Sequence, residues 1–447
     1  MSDPAAALQK LSWYSRLTSA HWRVLYACFL GWIFDGYETY ALVVSVAPAL
    51  RTLLRPDQLP ALPRFAGFAI GMTLLGWGIG GMCGGILADY FGRKRMMIIS
   101  VIGYAVFTGL TSLSFNYMSL VIMLFLTGLA LGSEWSTGTS LIAESWPNEA
   151  RPKGAGFMQS AFGFGTLLAS LVWYLVNPIG PQSWRIVFMI GFLPALFVIY
   201  VRRNVEESQR WVQAIKQRRW AATEVSAVST ANVAAQPAKR PFTLAQMFRE
   251  PEARRRAILL FLMSLSTVIG WWGIATWIPA YAGVVAKSHG FTNLAHWGSL
   301  AAILYNCGAI CGYISSGFIA DAIGRKAYLT FVYCGALIIT PVTYLWTHEL
   351  TPLLCVCFLN GFFTLGQFAW MAIYPAELFT SSVRSTATSF AFNSSRLIGF
   401  LGPILAGSII TKFGGYPRTA VSFGFIYLLG LAIVPFIPET KGHPLPD

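Results

Sequence analysis

An all-α polytopic membrane protein, with twelve transmembrane helices in two pseudo-symmetric six-helix bundles, is the fold this sequence predicts. Three observations carry that expectation. Apolar residues make up 55% of the 447 and charged residues only 11%, with a mean hydropathy of +0.57, whereas a soluble domain carries roughly 25% charge. The charges fall in short clusters between continuous apolar runs of about twenty residues, the length that crosses ~30 Å of hydrocarbon; a β-barrel would need alternating segments instead. Finally, the chain repeats itself. GGILADYFGRKR at Gly84–Arg95 returns as SGFIADAIGRK at Ser316–Lys326, aligning Gly85, Asp89, Gly92, Arg93 and Lys94 with Gly317, Asp321, Gly324, Arg325 and Lys326 at an offset of 232. Glu144 and Arg151 stand seven apart, as do Glu377 and Arg384, at an offset of 233. Two motif pairs at nearly one spacing identify a duplicated unit.

Taken in order, a polar arm (Met1–His21) with no signal-peptide pattern precedes a first apolar run at Trp22–Leu50, which contains Asp35 and Glu38. The loop Arg51–Arg64 is broken by prolines, which forbid continuous helix. A second, glycine-dense run (Phe65–Ala88) suits the close backbone approach of membrane helices. The third ends near Leu113, the fourth (Tyr117–Ala143) carries Glu134, the fifth is Gly154–Val176 and the sixth Ile186–Val201. Residues 202–256 hold twelve Lys or Arg against five Glu around a low-complexity middle, TEVSAVSTANVAAQPAKR, and read as a linker. The second half repeats the plan at Ala257–Ala286, Trp297–Ala320, Ala327–Trp346, Pro352–Ala376, Ser385–Ile410 and Pro417–Phe436. The expected organisation is therefore 1–201, a linker 202–256, and 257–447.

The net charge of +14 invites a nucleic-acid reading, but its distribution points elsewhere. With both termini and the linker on one side, that side holds 24 of the 32 Lys and Arg and the other seven, leaving Arg396 inside a run. The positive-inside rule makes the first side cytoplasmic, so a plasma membrane, the bacterial inner membrane, is the expected location. The seven cysteines all lie in apolar runs and read as small buried thiols.

With the repeat, the six-plus-six plan and the basic central loop established, the chain resembles the major facilitator superfamily. The G-x-x-x-D-x-x-G-R-K/R motif between the second and third runs, and its echo between the eighth and ninth, are the most specific marks. WYSRLTSAHWRVLYACFLGWIFDGYE and GSEWSTGTSLIAESWPNEARPKGAGF are similar to the proton-coupled sialate and short monocarboxylate symporters. The element Asp35-Gly36-Tyr37-Glu38 is similar to one in the aromatic-acid symporters. The resemblance implies alternating access about a midplane site, proton-coupled symport of an organic anion into the cell, and an aromatic acid as the alternative substrate.

Scarcity sharpens the search for working residues. Of eighteen acids, only Asp35, Glu38 and Glu134 lie well inside spanning runs, and Arg396 is the one deep base. A charge at mid-bilayer costs at least ~2.5 kcal/mol, so such residues usually face a cavity and work. Asp35 and Glu38, at i and i+3, share a helix face, and two acids in low dielectric resist losing both protons at once. The three acids are the expected proton-coupling residues. Their bland alternative is a hydrogen bond to a neighbouring helix. Arg396, about 18 Å deeper than Arg384 at 1.5 Å per residue, is an always-charged fork matched to a carboxylate. The repeat puts Gly163 opposite it, so the duplication does not account for it; its bland alternative is an internal ion pair with one of the acids. Asn306, Asn393, Gln159, Gln367 and Tyr37 are candidate polar liners. Asp89 with Arg93, Asp321 with Arg325, Glu144 with Arg151 and Glu377 with Arg384 are expected to form a gating network at the membrane edge, closing the cytoplasmic side. No metal-ligand spacing, phosphate-cradling loop or catalytic triad occurs in the sequence, so neither an enzyme nor an ATP-driven pump is expected. The expected energy source is the proton gradient, with no cofactor, membrane lipid as surroundings and a monomer as functional unit. A drug/proton antiporter would use the same acids, but export of cations gains nothing from Arg396.

Overall fold

The computed structural model describes residues 14–15, 17–147, 150–196, 198–199, 207, 243–379, 384–410 and 413–443. Each apolar run folds as helix, and no strand occurs among the described residues. The crossing segments are α1 (Ser19–Leu53), α2 (Leu62–Phe91), α3 (Arg93–Thr111), α4 (Tyr117–Ser145), α5 (Arg151–Val176) and α6 (Ser183–Leu196). They continue as α7 (Pro251–Ser288), α8 (Leu294–Ile323), α9 (Arg325–Trp346), α10 (Leu350–Leu378), α11 (Arg384–Ile409) and α12 (Tyr416–Phe436). Eight of the twelve are long and apolar enough by composition to cross a bilayer. The other four are α1, diluted by Arg23, Asp35 and Glu38, the shorter α3 and α6, and the polar, interrupted α11.

The seventh segment begins six residues before the expected Ala257. Pro251 occupies the first helical turn and Glu252 pairs with Arg256 one turn on at 2.9 Å, so residues counted with the linker start α7 instead. Most of the linker, 202–206 and 208–242, lies outside the described residues. The cysteine expectation needs correcting too: all seven are free, but only Cys28 and Cys357 are buried, while Cys83, Cys311 and Cys355 are exposed. An apolar run is apolar on every side, so membership in one does not distinguish its packed face from its outer face.

Packing is organised by glycine at duplicated positions. α2 runs along α4, and α8 along α10. At Gly76, Gly80, Gly128 and Gly132 an added Cβ would collide with the backbone of the partner helix, and the same holds at Gly308 and Gly361. Gly76 and Gly308 are 232 apart, and Gly128 and Gly361 are 233 apart, so the backbone contacts recur with the sequence repeat. Gly92 (φ 99°, ψ 152°) and Gly324 (φ 95°, ψ 162°) end α2 and α8 in one shared conformation, which a side chain would strain. Two seams join the halves: α5 against α8, and α2 against α11. α7 breaks between Ala275 and Ile278, α10 around Gly366–Phe368, and α11 between Asn393 and Arg396. Helix breaks inside a membrane protein are tolerated where neighbours satisfy the freed groups.

Gly80→Ala is expected to cost about 1–3 kcal/mol, the range for forced overpacking, seen as a lowered Tm of the detergent-solubilised protein. Gly402→Ala, where nothing lies within 4 Å of the added Cβ, is expected to stay within ~0.5 kcal/mol. Equal effects at both positions would contradict the backbone-contact account.

Candidate functional site

Aromatic rings from both halves meet at the centre. Trp135 of α4 stacks on Phe392 of α11 at 3.7 Å and 15°. Trp32 of α1 lies 5.1 Å from Phe162 and 6.0 Å from Phe392, and Phe162 reaches Trp271 of α7 at 6.1 Å. Sequence reasoning did not single these rings out. Among sixteen tryptophans the available signal was proximity: Trp32 stands three residues before Asp35, and Trp135 follows Glu134.

Asp35, Glu38 and Glu134 are all buried. Asp35 lies beside Glu134, with the Tyr104 hydroxyl close to both. Glu38 neighbours Thr108 and points its carboxylate at the Gly191 backbone. The cluster is thus enclosed by α1, α3, α4 and the residues that follow α6's first turns. Among the described residues, none of the three acids forms an ion pair.

Arg396 is 2% exposed. Its guanidinium lies 3.9 Å from the Phe392 ring centre and 4.6 Å from that of Trp77. One Nη donates to the Phe392 carbonyl, while Nε has no acceptor among the described residues. Among the described residues no carboxylate pairs with it, so the internal ion pair offered as its bland alternative is not formed. Ring faces stabilise a desolvated cation by about 2 kcal/mol, less than a carboxylate would.

The candidate polar liners divide. Gln159 accepts from Trp135 Nε1 at 2.8 Å, at the aromatic centre. Asn393 presses on Gly81 and donates to Ser389 at 3.4 Å, with Oδ1 unpartnered. Gln367 donates to the Thr364 carbonyl at 3.0 Å and leaves Oε1 unpartnered. Asn306 bridges the α5–α8 seam, bonding Thr166 at 2.8 Å and Ser170 at 3.2 Å, so its amide already binds helix to helix. Tyr37 is turned away: its hydroxyl donates to the Val187 carbonyl of α6 at 2.8 Å. Asp35, two residues before it, is turned instead toward Glu134 of α4.

At the face that carries the α2–α3 and α8–α9 turns, the halves are bound together. Arg325 bonds Asp321 at 2.9 Å and grips Glu377 with two nitrogens at 2.8 and 3.1 Å. Lys153 of α5 pairs with Asp321 of α8 across the seam, where Gly156 and Gly317 allow close approach to Tyr313 and Pro152. Glu377 also accepts from Thr440, and Glu439 accepts the backbone N–H groups of Arg325 and Lys326 at 2.9 and 3.0 Å. Partial burial would raise the Glu439 carboxyl, but these backbone donors outweigh it and hold it below its usual range. Arg151 donates to the carbonyls of Ala143 and Trp146. The side chains of Asp89, Arg93, Glu144 and Arg384 lie outside the described residues. At the opposite face the halves part around a cavity of about 440 Å³.

Residues 24–447 match the family described as Sugar (and other) transporter. The chain is 25% identical to the niacin transporter NiaP of Acinetobacter baylyi, covering 95% of each chain. It is also 25% identical to the sialic acid transporter NanX of Escherichia coli, covering 94% of this chain and 96% of that one. Among solved structures it superposes on the proton:xylose symporter XylE, of the major facilitator superfamily, with a TM-score of 0.72 at 20% identity over 96% of this chain and 98% of that one. That likeness establishes the fold.

Removing the shared acceptor of Lys153 and Arg325 tests the bound face. Asp321→Asn is expected to raise the reactivity of a cysteine placed at Ala155 by several-fold, because the seam loses its inter-half ion pair. Glu252→Gln, which removes a surface pair worth about 0.3–0.5 kcal/mol, is expected to leave it unchanged.

Proposed function

The chain belongs to the Sugar (and other) transporter family, and we propose that it carries an organic anion into the cell together with protons, by alternating access of its two six-helix halves. The observation that carries this reading is Arg396: a permanently charged fork at the meeting of the halves, held by ring faces and one carbonyl, with no carboxylate partner among the described residues. A substrate carboxylate would supply two charge-assisted hydrogen bonds there. The acids stand apart from it in the other half. A proton held by Asp35, Glu38 or Glu134 lowers the negative charge of that cluster by one while substrate binds, and its loss lets a carboxylate compete for Arg396 and drive release.

Substrate class follows from two further supports. Relatives are named for niacin and sialic acid transport, both carboxylates. The rings of Trp32, Trp77, Trp135, Phe162, Trp271 and Phe392 around the centre favour a flat, unsaturated acid, because stacking rewards a π face. An aromatic monocarboxylate is therefore the preferred substrate on this reading, and a sialic acid the second. The charge asymmetry of the loops, 24 Lys and Arg against seven, supports termini in the cytoplasm. The ion pairs of Asp321, Arg325, Glu377 and Lys153 would then act as a cytoplasmic latch, with Asp89, Arg93, Glu144, Arg151 and Arg384 as its other proposed members.

Uptake of radiolabelled nicotinate and N-acetylneuraminate into proteoliposomes, with and without an inward proton gradient, tests the proposal. Arg396→Ala is expected to raise KM by about 10- to 100-fold, matching the ~1.5–3 kcal/mol of a hydrogen bond to a charged group. Arg396→Lys is expected to recover little, lacking the fork. Asp35→Asn is expected to abolish gradient-driven accumulation while leaving substrate exchange. Full proton-driven uptake by both Arg396→Ala and Asp35→Asn would overturn the mechanism.

A further inference from the structure

The cavity of about 440 Å³ between the halves is lined by none of the residues that form the aromatic centre, the acid cluster or the bound face. Helix α1 lines it with residues between Val43 and Arg51, about three to five turns beyond Trp32, and α7 lines it with residues in and after its break. Its wall carries two cations, Arg51 from one half and Lys287 from the other, and no Asp or Glu. Both cations are exposed, and neither forms an ion pair with a described residue. Each sits in the last turn of its own helix segment, where a single cation would be an ordinary complement to the helix dipole. Two from opposite halves on one wall are more than that ending requires.

The rest of the wall suits a ligand with an apolar body. Trp173 and Trp277 line it with Tyr416, and Trp277 lies 5.6 Å from the Tyr416 ring. Arg51 of α1 and Tyr416 of α12 line the same cavity. Trp277 is 5% exposed, and its indole N–H, a donor, finds no acceptor among the described residues. Two cations, an unpaired N–H and aromatic walls together match an aromatic or apolar carboxylate.

We propose that this cavity is a capture subsite for organic anions, in which Arg51 and Lys287 draw a carboxylate between the halves and Trp277 orients it before it moves to the centre. Its role in transport rests on the organic-anion reading above, whereas its preference for anions does not. A cleft walled by low dielectric and lined by one sign of charge concentrates counter-ions about tenfold or more, and salt weakens the effect over a Debye length of ~10 Å at 0.1 M.

The test places a cysteine at Ala280, exposed on the same wall, in the full chain in detergent, with the unsubstituted chain as background. The anionic thiol reagent sulfonatoethyl methanethiosulfonate is expected to modify Ala280→Cys about tenfold faster than in the Arg51→Gln/Lys287→Gln background. The cationic trimethylammonium analogue is expected to show the opposite preference. High salt should erase the difference, and nicotinate should slow the anionic reagent only when both cations are present. Arg55→Gln, whose parent arginine pairs with Asp57 at 3.3 Å outside the cavity, is expected to change nothing. Equal rates in the two backgrounds, or no protection by nicotinate, would overturn the capture site whatever the uptake assay shows. Anion preference with protection, in a protein that takes up no carboxylate under a proton gradient, would sustain the capture site and overturn the proposed function instead.

Discussion

Everything in the molecule depends on backbones that touch. Where α2 crosses α4 and α8 crosses α10, glycines leave no side chain between the helices, so dispersion contacts and weak C–H···O bonds replace the hydrophobic drive that lipid does not supply. These crossings hold each half as a stiff body, and they recur at the spacing of the duplicated sequence. Stiff halves in turn confine adjustment to the two seams, α5 with α8 and α2 with α11, and to the interrupted helices α7, α10 and α11. Trp277, Gln367 and Arg396 all sit in or beside those interruptions. These three residues, each with an unpaired polar atom, therefore lie where the scaffold yields.

Charge is distributed with the same economy. The deep acids belong to one half and the deep arginine to the other, and rings of Trp77 and Phe392 cover the guanidinium in place of a carboxylate. Breaking a buried charge away from a good partner costs about 3–5 kcal/mol; an arginine without such a partner can accept an external anion without that penalty. At the bound face the opposite holds. Arg325 is nearly buried and fully engaged by Asp321 and Glu377, while Lys153 carries the contact across the seam. One end of the molecule spends its charges on itself and the other, around Arg51 and Lys287, leaves them open.

The duplication therefore marks structure more than chemistry. Gly92 and Gly324 share a backbone conformation, and Gly76 and Gly308 share a helix contact. Asp35, Glu134 and Arg396 are where the halves diverge. A substrate that is itself asymmetric needs unlike walls, which a symmetric pair of bundles provides only through such departures.

The sequence by itself determined the helices, the repeat and the short roll of deep charges. Apolar length, glycine density and charge scarcity are properties of composition along a line, and bilayer physics acts on them directly. The start of α7 was displaced because a proline and an acid open a helix within polar surroundings. Which side chains face one another was decided only by the tertiary structure. Tyr37 shares a helix with two deep acids yet bonds α6, Cys83 lies in an apolar run yet faces outward, and the rings at the aromatic centre come from six separate helices. Direction around a helix axis and contact between halves arise from packing, and in a chain apolar on every side no linear pattern encodes them.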